Sequence, residues 1–84
     1  MITIRFDSRL LQNPLTDDIP TEIDGYYTII QAPAGRSVNQ TLKELNIQLS
    51  QAVAAVVNGQ TTDLEKFLNA GDKVRLLPQI AGGI

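Results

Sequence analysis

The chain contains neither cysteine nor histidine. The first absence excludes disulfides, thiol chemistry and thiolate metal ligands. The second excludes histidine-based catalytic triads, and the two together exclude zinc sites of the Cys/His type. Carboxylates, hydroxyls, lysine, tyrosine and the chain ends are the chemical groups that remain. Positive charge is also sparse: seven Lys and Arg stand against nine Asp and Glu, a net charge of -2. Arg5, Arg9, Arg36, Lys43, Lys66, Lys73 and Arg75 are scattered along the chain. Binding to a polyanion needs clustered cations that displace counterions, so neither a nucleic acid nor a membrane surface is an expected partner. No apolar run approaches the roughly 20 residues of a membrane span. The first residues, Met1-Ile2-Thr3-Ile4-Arg5-Phe6, alternate instead of placing a charged leader before an apolar stretch. That pattern reads against a signal peptide and for the cytoplasm.

What is present suits one small folded domain. The chain has 84 residues, of which 43% are hydrophobic and 19% charged. A chain of this size buries about 60–65% of its unfolded surface, enough for one core. Ile2, Ile4 and Phe6 alternate with Thr3 and Arg5, the period of a half-buried strand over residues 2–6. Residues 7–25 read as a long surface connection with at most one helical turn, at Ser8-Arg9-Leu10-Leu11. Asn13-Pro14 and Ile19-Pro20 break any helix there, and Asp17-Asp18 and Asp24-Gly25 are turn chemistry. The carboxylates Asp7, Asp17, Asp18, Glu22 and Asp24 do not have the spacing of a calcium loop, so no metal site is expected.

Tyr26 to Ala32 is aromatic and β-branched and forms a second strand, with both tyrosines assigned to strand packing. Ser37 caps a helix, and Gln40 three residues later completes a capping box. Val38, Leu42, Leu45 and Leu49 then mark one helical face. Ala52 to Asn58 reads as a third, central strand, ended by the tight-turn pair Asn58-Gly59. Leu64, Phe67 and Leu68 fit one short helical turn, and Ala70-Gly71-Asp72 another turn. Lys73 to Pro78 is the last strand, with Val74 and Leu76 on one face and Arg75 and Leu77 on the other. Pro78 ends pairing on its side. Four strands and one helix across a single face make an α+β domain over residues 1–78, followed by a flexible tail at 79–84.

That tail, Gln79-Ile80-Ala81-Gly82-Gly83-Ile84, carries two glycines that free the backbone. Together with Pro33-Ala34-Gly35-Arg36-Ser37-Val38, Ala55-Val56-Val57-Asn58-Gly59-Gln60 and the stretch from Leu68 to Gly83, it resembles the MoaD/ThiS family of ubiquitin-like sulfur carriers. The resemblance is good over 26–83 and weak over 1–6. It implies the β-grasp fold, here with a four-stranded mixed sheet. The ending Leu-Leu-Pro-x-Ile-Ala-Gly-Gly is more similar to the molybdopterin-synthase small subunit than to the thiamine carrier.

The resemblance implies a carrier with no catalytic residues of its own and no bound cofactor. A ubiquitin-activating-type enzyme would spend ATP to adenylate the carboxylate of Gly83, which would become a thiocarboxylate. Ala81 and Gly82 would thread the partner's channel, and the sulfur would pass to a cofactor precursor in an acceptor synthase large subunit. Ile84 departs from the family pattern. Either a peptidase removes it, or the tail works with it in place, or the carrier role has been lost and the domain is a non-covalent binding module. A thiamine-type carrier and a ubiquitin-like modifier joined to lysines through Gly83 are the other readings.

Leu77, Pro78 and Ile80 would form the apolar centre of a docking surface, with Arg5 and Arg75 at its rim. Leu77 would otherwise cover sheet surface beside the long connection. No pair of catalytic groups at useful spacing marks an enzyme.

Overall fold

The computed structural model describes residues 1–79. The expectations placed on Ile80, Ala81, Gly82, Gly83 and Ile84 lie outside those residues. Alternation builds β1 (Ile2–Asp7), whose Ile2, Ile4 and Phe6 are buried while Thr3, Arg5 and Asp7 are half-buried on the other side. A 3-10 turn (Ser8–Leu10) follows. Then come β2 (Thr21–Asp24), β3 (Tyr27–Ala32), α1 (Val38–Glu44), β4 (Val53–Val57), β5 (Gln60–Thr62) and β6 (Lys73–Pro78).

The strands form one mixed sheet in the order β2-β3-β1-β6-β4-β5. The central pair, β1 and β6, is parallel, and every other pairing is antiparallel. The sheet therefore has six strands, not four. The two additional ones sit at its edges. β2 is Thr-Glu-Ile-Asp and β5 is Gln-Thr-Thr, and edge positions this exposed require no apolar alternation to signal them. The strand from Val53 is not central either; it lies second from the edge.

The core lies on one face of the sheet. Ile2, Ile4, Phe6, Ile30, Ala32, Val53, Ala55, Val57, Val74 and Leu76 meet Val38 and Leu42 of α1 and the buried Leu68 there. The N-terminus of α1 has the expected box. Ser37 Oγ accepts from the Gln40 N–H at 3.1 Å, and Gln40 Oε1 accepts from the Ser37 N–H at 3.3 Å.

The helix stops earlier than its apolar spacing suggests. Asn46 takes the left-handed conformation with φ 56. The Asn46 N–H bonds the Lys43 carbonyl and the Ile47 N–H the Leu42 carbonyl, the two bonds of a Schellman stop. Leu49 is therefore off the helix and forms an isolated bridge with Leu11.

The connection 7–25 is more than a surface excursion. It contains β2 and sends Leu10 and Ile19 into the core. Leu64, Phe67 and Leu68 do not form a helical turn: Asp63 caps a turn there, accepting the Glu65 N–H, and Leu68 is buried while Phe67 is 55% exposed. Tyr26 falls in the turn before β3 and is 76% exposed, so it is not strand packing. Asn58-Gly59 is the two-residue hairpin turn between β4 and β5, with φ 50 and 84.

Candidate functional site

β6 brings the chain to the centre of the sheet and lets it leave there. On the β1 side its pairing ends at Phe6 opposite Leu76. On the β4 side it runs on to Val53 opposite Pro78, and the Gln79 N–H then donates to the Ala52 carbonyl at 2.9 Å. Backbone groups alternate in direction along a strand. Because the Gln79 amide faces β4, the nitrogen of Pro78 faces the side where β1 has already turned away. Its missing N–H therefore costs the ladder nothing. Gln79, the first residue expected in the tail, is still tied to the sheet.

The face opposite α1 has no covering layer among the described residues. Register places Glu22, Ile29, Arg5, Arg75, Val56 and Thr61 in one row across all six strands. Arg5 and Arg75 are direct neighbours, and like charges so placed destabilise a sheet. Part of the compensation is the Arg5 guanidinium lying 4.2 Å from the centre of the Tyr27 ring. Thr3, Arg5, Ile29, Lys73, Val74 and Arg75 line a shallow depression on this face. Leu77, 38% exposed, lies opposite Ala54 beside it.

Of the docking residues expected from sequence, Arg5, Arg75 and Leu77 thus share one surface. Pro78 is exposed at the sheet end with the opposite facing, and Ile80 is outside the described residues. Ile29, Ala54 and Val56 complete the surface without having been expected there, and Tyr27, assigned to strand packing, lies on it as well, 38% exposed. The signal for them was the same alternation that marks their strands, read on the side away from the core.

The ion pairs among the described residues are Arg36–Glu44 and Arg9–Asp7, the latter at 2.7 Å. Hydrogen bonds from the Arg9 guanidinium and then from its backbone N–H hold the Asp7 carboxyl at about 2, and the same pairing raises Arg9. Asp7 is thereby committed to the turn that ends β1, as the N-cap of the 3-10 segment. Asp72 is also held below the usual carboxylate range, by the Asn69 backbone N–H and then the Asn58 side chain. Both acids are structural. Among the described residues no group of three acidic side chains could hold a metal ion.

Residues 18–83 match the sequence profile described as the ThiS family. The chain belongs to the ThiS family. No curated protein and no solved structure matches it significantly. Membership accounts for the single helix on a mixed sheet as the β-grasp fold, here with two short edge strands added to the expected four. It points to the role of a small sulfur carrier, handled by an activating enzyme and a synthase.

Proposed function

We propose that this ThiS-family chain carries sulfur as a thiocarboxylate on Gly83, for assembly of the molybdenum or tungsten cofactor. The carboxylate attacks the α-phosphate of ATP on the activating enzyme, giving an acyl-adenylate and pyrophosphate. Hydrosulfide supplied there attacks the acyl carbon and displaces AMP, which leaves the thiocarboxylate and a proton. In the acceptor synthase the sulfur passes to the precursor, and water restores the Gly83 carboxylate. ATP is used by the partner, not held by this chain. The observation that carries the reading is the extent of the family match, which runs through both glycines and ends at Gly83. Ile84 falls outside it, in keeping with its removal by a peptidase before activation.

The tail has the mechanics for this role. Four residues beyond Gln79 would add about 13 Å of reach when drawn out. Gly82 and Gly83 carry no Cβ to obstruct a narrow channel. Arg5, Arg75, Leu77 and Pro78 supply docking, with Ile80 beyond them.

The molybdopterin assignment rests on the Leu-Leu-Pro-x-Ile-Ala-Gly-Gly ending. The name of the matching family favours the thiamine pathway as the second reading. Intact mass spectrometry of the chain purified from its own host tests the carrier role. The expected species ends at Gly83, and a fraction has sulfur in place of one terminal oxygen. A population that retains Ile84 and forms no adenylate with the host's activating enzyme would refute it. Growth rescue of strains lacking either the molybdopterin or the thiamine carrier separates the two pathways.

A further inference from the structure

The free sheet face has a charge pattern that complements itself. Ile29 of β3 is flanked in its row by Glu22 of β2 on one side and Arg5 of β1 on the other. Each charge lies one strand away, about 4.8 Å. Within one chain they are therefore about 10 Å apart, and neither takes part in an ion pair among the described residues. We propose that this face binds a second copy of the chain through a two-fold axis that runs parallel to β3 above Ile29.

That operation leaves Ile29 against Ile29 and Tyr27 against Tyr27. It exchanges the two flanks, so Glu22 of each copy meets Arg5 of the other. Sheets packed face to face stand about 10 Å apart, a gap that Glu and Arg side chains span together. The neighbouring row opposes the contact in part. Asp24 of one copy comes over Asp7 of the other, whose charge is already matched by an Arg9 side chain that is 81% exposed. Lys73 and Arg75 add to the positive field that meets the acidic edge. The contact is isologous, as closed dimers usually are.

Its size makes it weak. Three strands by about four residues give roughly 190 Å² per copy from the strand spacings. Stable dimers bury about 800 Å² on each side. The association is therefore transient, fast and sensitive to salt, because the paired charges sit at the rim of a small patch. Arg5, Arg75 and Leu77 are within or beside the covered area, so self-association and docking to an activating enzyme exclude one another. That consequence rests on the docking reading given above; the self-association does not.

Sedimentation velocity on the full chain at low salt, from about 10 μM to about 1 mM, tests it in a range suited to a patch this small. The parent chain is expected to gain mass with concentration and to lose that gain in about 0.5 M salt, where screening is nearly complete. Glu22→Lys and Arg5→Glu each place like charges across the axis and should each reduce association at least tenfold. Mixing the two single variants recreates both attractive contacts, as does the Glu22→Lys/Arg5→Glu double variant alone. Association should return in both cases. Glu22 is an exposed edge residue, so Glu22→Lys leaves the fold intact, and circular dichroism checks Arg5→Glu. A parent chain that stays monomeric throughout, or two single variants that fail to rescue one another, would overturn the proposal. Neither result bears on whether Gly83 carries sulfur.

Discussion

Replacing Asn46 with alanine should shorten nothing and still destabilise the domain. Asn46 holds φ 56, where a Cβ costs about 1–2 kcal/mol and asparagine is better tolerated than alanine. The expected loss for Asn46→Ala is about 1 kcal/mol. With an unfolding entropy of about 2.1 cal/mol/K per residue, 84 residues give about 0.18 kcal/mol/K, so the midpoint should fall by about 5–6 °C. Asn46→Gly should stay within about 0.5 kcal/mol of the parent, because relief at positive φ offsets the greater freedom of glycine when unfolded. The competing outcome has the opposite sign. Alanine is the better helix former by about 0.6 kcal/mol, and Leu45 and Leu49 are already spaced for another turn of helix. Four hydrogen bonds oppose that extension. Asn13 Nδ2 donates to the Asn46 carbonyl at 2.9 Å, and the Gln48 N–H donates to Asn13 Oδ1 at 3.1 Å. The Gln12 N–H donates to the Gln48 carbonyl and the Ser50 N–H to the Leu10 carbonyl, both at 2.8 Å. At about 1 kcal/mol each they outweigh the propensity gain severalfold. Thermal unfolding followed at 222 nm decides the matter. A higher midpoint together with more helical signal for Asn46→Ala would show that the helix does not stop for the reason given.

Two further outcomes follow from the same geometry. Asp7 should titrate at about 2 in the parent, read from its carboxyl carbon by NMR, and move up toward its ordinary 3.8 in Arg9→Gln. A folded value below the unfolded one means that the pair's contribution is complete above about pH 4 and is lost as the pH falls toward 2; titration near 3.8 in the parent would contradict the pairing. Leu77→Asp, on the exposed outer face, should leave the unfolding midpoint within about 3 °C, as surface changes do, yet slow adenylate formation by the host's activating enzyme at least tenfold, and an unchanged rate would remove Leu77 from the docking surface.

The sequence was readable where a residue's neighbours along the chain decide its environment. Ile2, Ile4 and Phe6 alternate because β1 has a core on one side, and Ser37 with Gln40 forms a cap from atoms three residues apart. The same alternation placed Arg75 and Leu77 correctly on the side away from the core. It failed where partners are distant. β2 is a strand because β3 offers it an edge, not because Thr-Glu-Ile-Asp favours one; Ile23 is 65% exposed there. β5 exists because the Asn58-Gly59 turn sends three polar residues back along β4. The end of α1 was misread for the same reason, since the segment after Asn46 is held by Asn13 and Gln12, more than thirty positions away. The row that joins Glu22 to Arg5 could not be seen at all before the register of three strands was known.

That register also explains how so small a domain combines a stable body with a surface free for partners. A helix covers one face of the sheet, and the burial that stabilises the fold is collected there, on Ile2, Ile4, Phe6, Ile30, Val74 and Leu76. The other face therefore tolerates two adjacent arginines that a buried face would reject, since partial exposure keeps their charges hydrated. β6 belongs to both faces at once. Val74 and Leu76 anchor it inward, Arg75 and Leu77 present it outward, and its central position gives it a neighbour on each side until Leu76. Beyond that point one neighbour falls away, and Pro78 occupies the position whose donor would have gone unmatched. The last described residues thus belong to a strand that is paired on both sides through Leu76. A pull on whatever follows Gln79 is resisted by two ladders, not by an edge, which suits the carrier role proposed above.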